Sequence, residues 1–153
     1  MNDRVTIKEE RLSAEEYIDF LKRTDLGSQY PQERFQERIE KLVKNAAISL
    51  VARDEADTIV GVCFCITDFA YWLFITDLGV VREWTGWGVG RALVQRLHEA
   101  AGEGLAGGGE KNIIMYTCAN SNAIPFYKSL GMSRAGDEVM ELNCVDWTEF
   151  TVE

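Results

Sequence analysis

The sequence predicts a mixed α/β (α+β) fold: one mixed sheet with helices on both faces, in a single domain over residues 1–153. Three observations carry that reading. The chain has 153 residues, 46% hydrophobic and 27% charged, the balance of an ordinary globular domain able to bury roughly two thirds of its unfolded surface. Two strand-rich runs, 46–53 and 58–67, flank a polar turn and have the pattern of an antiparallel hairpin. Beyond them strand and helix patterns alternate, and right-handed crossovers then make neighbouring strands parallel.

Ser13 and Glu16 stand in capping-box spacing, with Leu12 and Tyr17 where a hydrophobic staple places them. A helix is expected over 13–22, with Tyr17 and Leu21 facing inward. A loop containing Gly27 spans 24–30. Pro31 suits the first position of a second helix, in which Phe35, Ile39, Leu42 and Val43 recur at helical spacing as far as Lys44. The opening third therefore reads as helical.

In the hairpin, Ile48 and Leu50 alternate along the first strand, 54–57 is the polar turn, and 58–67 is rich in valine, isoleucine, phenylalanine and cysteine. A third strand at 69–81 is so apolar that both its faces are expected to be covered. Val89, Leu93, Leu97 and Ala101 then repeat at helical spacing until Gly102, Gly104 and the glycines at 107–109 end the helix. Residues 111–118 form the next strand. Pro125 is harmless only in the first turn of a helix, which favours Asn122 over Asn120 as its cap. That helix carries Phe126, Tyr127 and Leu130 and stops at Gly131, and two closing strands follow at 139–144 and 147–152.

Sixteen basic against 25 acidic residues give a formal charge of −9, a field that repels nucleic acid and anionic membrane and concentrates cationic small molecules. The start, Met1-Asn2-Asp3-Arg4, leads into no apolar targeting stretch, and the run 70–75 is far short of the roughly twenty residues that span a bilayer. A cytoplasmic protein with no nucleic-acid or membrane partner is expected, and a homodimer is compatible with the sequence. Cys63, Cys65, Cys118 and Cys144 read as small hydrophobes rather than a disulfide framework. The single histidine, His98, lies within a helical pattern, so no metal site is expected.

The strongest chemical signal is Thr85-Gly86-Trp87-Gly88-Val89-Gly90-Arg91, three alternating glycines between a strand and a helix. Glycines there let backbone N–H groups converge on an anion such as a pyrophosphate, next to the positive end of the helix. No Gly-Lys-Ser or Gly-Lys-Thr follows, so this is not a mononucleotide P-loop. The spacing G-x-G-x-G also departs from the dinucleotide fingerprint, and Glu110 is misplaced for a ribose contact.

The segment resembles the GNAT N-acetyltransferase superfamily, whose V-x-P-x-x-[R/Q]-G-x-G-[IV]-G stretch binds the pyrophosphate of acetyl-coenzyme A. Val80, Gly86, Gly88, Val89 and Gly90 occupy matching places, while Arg82 stands where proline is common and Thr85 where arginine or glutamine is usual. A second stretch, from Asn120 through Ala123, Phe126, Tyr127, Leu130 and Gly131 to Met132, is similar to the family's N-x-x-A-x-x-[F/L]-Y-x-x-x-G-[F/M] segment. The resemblance covers most of the chain from Ile48 to Val152. It implies a mostly antiparallel, splayed sheet, with 46–153 forming the sheet core and acetyl-coenzyme A site and 1–45 a variable helical part that shapes the acceptor pocket.

By that resemblance the acetyl group passes directly from acetyl-coenzyme A to a primary amine in a ternary complex, without metal. Cofactor contacts are expected from Leu78, Val80, Thr85, Gly86, Trp87, Gly88, Val89, Gly90, Arg91, Asn120, Ala123 and Phe126. Asn120 would touch the pantetheine arm, and Tyr127 would lie by the thioester sulfur, where a phenol can protonate the departing thiolate or serve only as a packed aromatic. Asp77 interrupts an apolar strand, and an ionised carboxylate there is paired, hydrated or functional. It is the candidate to orient or deprotonate the amine, with a structural role nearly as well supported. Asp68 is a weaker candidate that reads as a turn residue. Cys118 is an acyl carrier only in principle, with no histidine beside it. Tyr30 and Trp72, with the acidic balance, suggest a pocket for a small amine. An acetyltransferase of protein or peptide amino groups and a non-catalytic acyl-coenzyme A sensor are the alternatives.

Overall fold

Among the described residues five strands hydrogen-bond in chain order: β1 (Val5–Glu9), β2 (Ile48–Asp54), β3 (Ile59–Thr67), β4 (Trp72–Val80) and β5 (Ile114–Thr117). The first three pairings are antiparallel and the last, β4 with β5, is parallel. Among the described residues the α-helices that accompany them are α1 (Ala14–Leu21), α2 (Phe35–Asn45), α3 (Val89–Ala101) and α4 (Ile124–Ser129). The structure, a computed structural model, describes residues 3–105, 112–136 and 152. The two closing strands expected at 139–144 and 147–152 lie outside the described residues except for Val152, whose side chain packs on Gly27. No helix among the described residues is long and apolar enough to cross a membrane.

The amino-terminal third is not purely helical, because β1 precedes α1 and pairs with β2 from Val5↔Asp54 to Glu9↔Leu50. Its five residues bury only Val5 well, so periodicity alone carried little signal. α1 forms as expected. Ser13 Oγ accepts from the Glu16 N–H at 3.1 Å and Glu16 Oε1 accepts from the Ser13 N–H at 3.1 Å, while Leu12 and Tyr17 are both buried. α2 starts at Phe35 instead of Pro31, since Arg34 adopts a left-handed backbone (φ 53°) that cannot continue a helix. Its last carbonyls are held by the Arg11 guanidinium, which donates to Val43 O, Lys44 O and Ala46 O at 2.7–3.1 Å.

The hairpin of β2 and β3 closes through Asp54, whose carboxylate accepts the N–H groups of Ala56 and Thr58 at 2.9 Å. Asp68 closes the next turn in the same way, accepting from Ala70, Tyr71 and Trp72 at 2.8–2.9 Å. These bonds hold the Asp68 carboxyl below the usual carboxylate range and give it the place of a turn residue. β4 begins only at Trp72, and its two faces differ. Leu73 and Ile75 are buried, whereas Trp72 and Phe74 are exposed at 54% and 41%, so at this end only one of the two faces expected to be covered is covered among the described residues.

α3 lies on one face of the sheet. A Cβ at Gly61 would touch Leu93 and Val89 at 3.0–3.1 Å, so glycine lets that helix approach β3. The opposite face is covered by α1 and the 3-10 turn Leu26–Gln29, where Gly79 leaves room for Leu26 and Phe20. At the end of the described chain, Asn120 leads a 3-10 turn, Ser121–Ala123, so the expected cap at Asn122 falls inside that turn. The extra turn forms because Pro125, in the first turn of α4, cannot accept a longer helix ahead of it. Gly131 (φ 90°) ends α4, with its N–H on Lys128 O and that of Met132 on Tyr127 O.

Candidate active site

β4 and β5 stay paired only from Trp72↔Ile114 to Ile75↔Thr117. Past Ile75, the edge of β4 that faced β5 has no strand partner among the described residues, because β5 ends at Thr117 while β4 runs on to Val80; this one-sided opening is the fork. Thr117 marks its base, donating through Oγ1 to Ile75 O at 3.2 Å.

A bulge aims the next side chain. Phe64 pairs with Asp77 and Cys65 with Ile75, which leaves Thr76 as an extra residue on β4. The extra residue shifts the alternation, so Asp77 and Gly79 turn toward α1 while Ile75, Leu78 and Val80 share the α3 side. Asp77 is 1% exposed. Its Oδ1 accepts from Tyr17 Oη at 3.1 Å, from Gln29 Nε2 at 2.7 Å and from Tyr30 Oη, and its Oδ2 accepts from Thr76 Oγ1 at 2.6 Å. Burial pushes the Asp77 carboxyl up to about 7, against the opposing bonds from Tyr17 and Gln29. Tyr17 is itself pushed well above the ordinary phenol range by burial and by Asp77, so it remains a donor.

Across the fork, Tyr127 on α4 is half-buried and packs against the core beside the Thr117 side chain. Burial raises its phenol, a condition that keeps the proton on oxygen until a stronger base is presented. Because Thr117 pairs with Ile75 on the α3 side, Tyr127 and Asp77 flank the fork from opposite faces of the sheet.

The glycine segment leaves β4 through a 3-10 turn, Arg82–Trp84, and enters α3 at Gly88. Gly86 (φ 86°) and Gly88 (φ 83°) are left-handed, and a Cβ at either would meet nothing within 4 Å. Glycine is required at these two positions by backbone conformation, with open space outside. Gly88 at the N-cap has no side chain to cap α3, which leaves its first-turn N–H groups available to an anion. Gly90 is different: a Cβ there would press on the Phe126 ring at 3.2–3.3 Å. The third glycine thus serves packing between α3 and α4.

Of the other expected contacts, Thr85 and Trp87 are exposed beside this space, and Val89 is buried in the core. Trp87 meets Trp84 edge-on at 6.0 Å. Arg91 Nη2 donates to Ser129 O and Oγ at 3.1 and 3.3 Å, tying α3 to the end of α4. Asn120 is exposed, Ala123 half-buried, and both precede α4 at the mouth of the fork. Arg82, in the place where proline is common, donates to Thr24 O and Asp25 Oδ1 at 3.2 and 2.6 Å and so joins the glycine segment to the interhelical loop.

The structure does not bring Tyr30 and Trp72 together. Tyr30 bonds Asp77, whereas Trp72 sits five residues earlier on β4, roughly 15 Å along the strand, and stacks on Tyr116 at 6.2 Å. Cys118 is exposed at the end of β5, and Cys63 and Cys65 are buried with thiols raised by desolvation, Cys65 to about 11. In the sequence Tyr17 shows only as an inward-facing helix residue, and Gln29, Thr76 and Thr117 carry no local pattern that marks them as parts of the site. The polar pair Thr76-Asp77 inside an apolar strand was the one available signal for the bulge.

A bulged, forked sheet with a glycine-lined helix start beside it matches a known class. The model of the acetyltransferase (GNAT) family matches residues 12–132, and the chain belongs to that family. It is an acetyltransferase of the kind that uses acetyl-coenzyme A. No curated protein matches the chain significantly. Among solved structures, a Staphylococcus aureus protein described as a probable acetyltransferase is similar at a TM-score of 0.71 and 16% identity, covering 92% of this chain and 98% of its own. An aminoglycoside acetyltransferase from an uncultured soil metagenomic sample, in complex with sisomicin, aligns at 0.60 and 20% identity over 94% and 98% of the two chains. A GNAT family N-acetyltransferase of Escherichia coli, in complex with coenzyme A, aligns at 0.61 and 18% over 84% and 68%.

Proposed function

We propose that this protein acetylates the primary amine of a small molecule by direct attack in a ternary complex. The observation that carries this reading is the pair Asp77 and Tyr127, a buried carboxyl near neutrality and a raised phenol, on opposite sides of the fork. Acetyl-coenzyme A supplies the acetyl group as a thioester and departs as a thiolate. The N–H groups at the start of α3 would hold its pyrophosphate, with Thr85, Gly86, Trp87, Gly88 and Arg91 around it. The free edge of β4 at Leu78 and Val80 would align its pantetheine arm, with Asn120, Ala123 and Phe126 on the α4 side.

Asp77 takes the proton of the incoming ammonium, a role that a carboxyl titrating near operating pH performs best. Tyr127 holds a proton at Oη and releases it toward the leaving sulfur. The acidic chain, at −9, favours a cationic amine. The resemblance in fold to an enzyme holding sisomicin, an aminoglycoside, is in keeping with an acceptor of that charge. Acetyl-coenzyme A consumption across small amines, amino acids and peptide amino termini tests the reading. The highest kcat/KM is expected for a small amine bearing a second positive charge. Faster turnover of peptides, or none of any amine, would overturn it.

A further inference from the structure

The proposed base is sealed off from the substrate it must serve. Asp77 is 1% exposed, Tyr17 is fully buried, and Thr76 Oγ1 is committed to Asp77 Oδ2 and Phe64 O. Of the hydroxyls on the carboxylate, that of half-buried Tyr30 is carried by the interhelical segment that covers this face of β4. Tyr30 Oη bonds Asp77 Oδ1 and also lies 2.7 Å from Tyr17 Oη.

We propose that Tyr30 is the proton relay between the acceptor amine and Asp77, and that Tyr17 is a positioning residue that holds this relay in register. The inference rests on the reading of Asp77 as the base. An ammonium N–H donates to Tyr30 Oη. That N–H bond breaks and a new O–H bond forms on Tyr30, while the original Tyr30 O–H bond breaks and its proton joins Asp77 Oδ1. The amine is left neutral, Tyr30 is a neutral phenol before and after, and the carboxylate becomes a carboxylic acid. Hydroxyls suit both ends of this exchange, because each can donate to the carboxylate and then rotate to accept from the acid. The groups that face Asp77 are Tyr17 from α1, Gln29 and Tyr30 from the interhelical segment, and Thr76 on β4, with β3 opposing it through Phe64 beside the protonated Cys63 thiol.

Tyr30→Phe keeps the ring and removes the relay. With the acceptor found by the amine panel, kcat is expected to fall about 10²-fold or more at neutral pH while KM for acetyl-coenzyme A stays constant. The residual rate should climb with pH without a plateau near 7, because the amine must then arrive already deprotonated. Tyr17→Phe removes a donor from the same oxygen and the contact that holds Tyr30 in register, and should lower the plateau rate less than Tyr30→Phe does while moving its midpoint upward. A Tyr30→Phe enzyme with normal kcat and pH profile, or changed only in KM for the amine, would overturn the relay. Asp77→Asn run in parallel separates the two ideas: a normal pH profile there removes the base itself. A measurement independent of acceptor is the infrared titration of the Asp77 acid band in aspartate-labelled protein, identified by its loss in Asp77→Asn. Its midpoint should rise in Tyr30→Phe, and an unmoved midpoint would deny the Tyr30–Asp77 contact.

Discussion

Tyr17 on α1 donates its phenolic proton to Asp77 on β4 at 3.1 Å, joining two residues 60 positions apart in the chain. The bond places the first helix over the bulge in β4, and both partners are buried. A carboxylate so enclosed stabilises the fold only as far as its donors offset its desolvation.

That balance has a pH signature. The folded-state carboxyl of Asp77 is raised to about 7, above its ordinary value, so the protonated form is favoured by folding. Its contribution is fully present below about pH 4 and is lost as pH rises through about 7. Asp77→Asn should flatten this part of the dependence of Tm on pH, read by calorimetry between pH 4 and 8, and should remove the rise in turnover centred near 7.

Tyr127→Phe is expected to lower kcat by about 10²-fold to 10⁴-fold with little change in affinity for coenzyme A, since the ring packing is retained. Steady-state kinetics together with a coenzyme A titration followed by thermal shift measure both quantities. Near-normal kcat would assign Tyr127 to packing beside Thr117 alone.

The three glycines should respond differently. Gly88→Ala places a Cβ on a backbone at φ 83°, costing about 1–2 kcal/mol, and intrudes on the space assigned to the pyrophosphate. Thermal stabilisation by coenzyme A should be lost there. Gly90→Val drives side-chain atoms into Phe126 and should cost about 1–3 kcal/mol of stability by denaturant unfolding.

Gly79→Val tests the roof of the acceptor side. A Cβ at Gly79 would come within 2.9 Å of Leu26 and 3.2 Å of Phe20, so α1 and the 3-10 turn must move off β4. Stability should fall by about 1–3 kcal/mol, and KM for the amine should rise more than KM for acetyl-coenzyme A. Equal changes in both would mean that the roof does not border the amine.

Much of the sheet and helix order was legible along the chain. The capping box at Ser13, the four-residue repeat from Val89 to Ala101 and the polar turn at Asp54 are local signals, read within one turn of structure. The glycine segment and the Asn120–Met132 stretch were legible for a similar reason: backbone conformation at Gly86, Gly88 and Gly131 leaves a mark on residue type. The start of α2 was misread because the left-handed turn at Arg34 involves a residue that gives no such mark. β1 was missed because five residues with one well-buried aliphatic make too short a pattern.

Residue order alone shows that a glycine-lined helix start, a tyrosine-bearing helix and a carboxylate within an apolar strand occur in the family's order. What surrounds that carboxylate is set by packing between distant segments. Tyr17, Gln29 and Tyr30 reach Asp77 from 47 to 60 residues away, and the bulge at Thr76 selects the face on which they meet it. Local periodicity records which side of an element is buried. It carries no record of which distant hydroxyls a buried charge will find, because that depends on strand register and on the close approach that Gly79 allows.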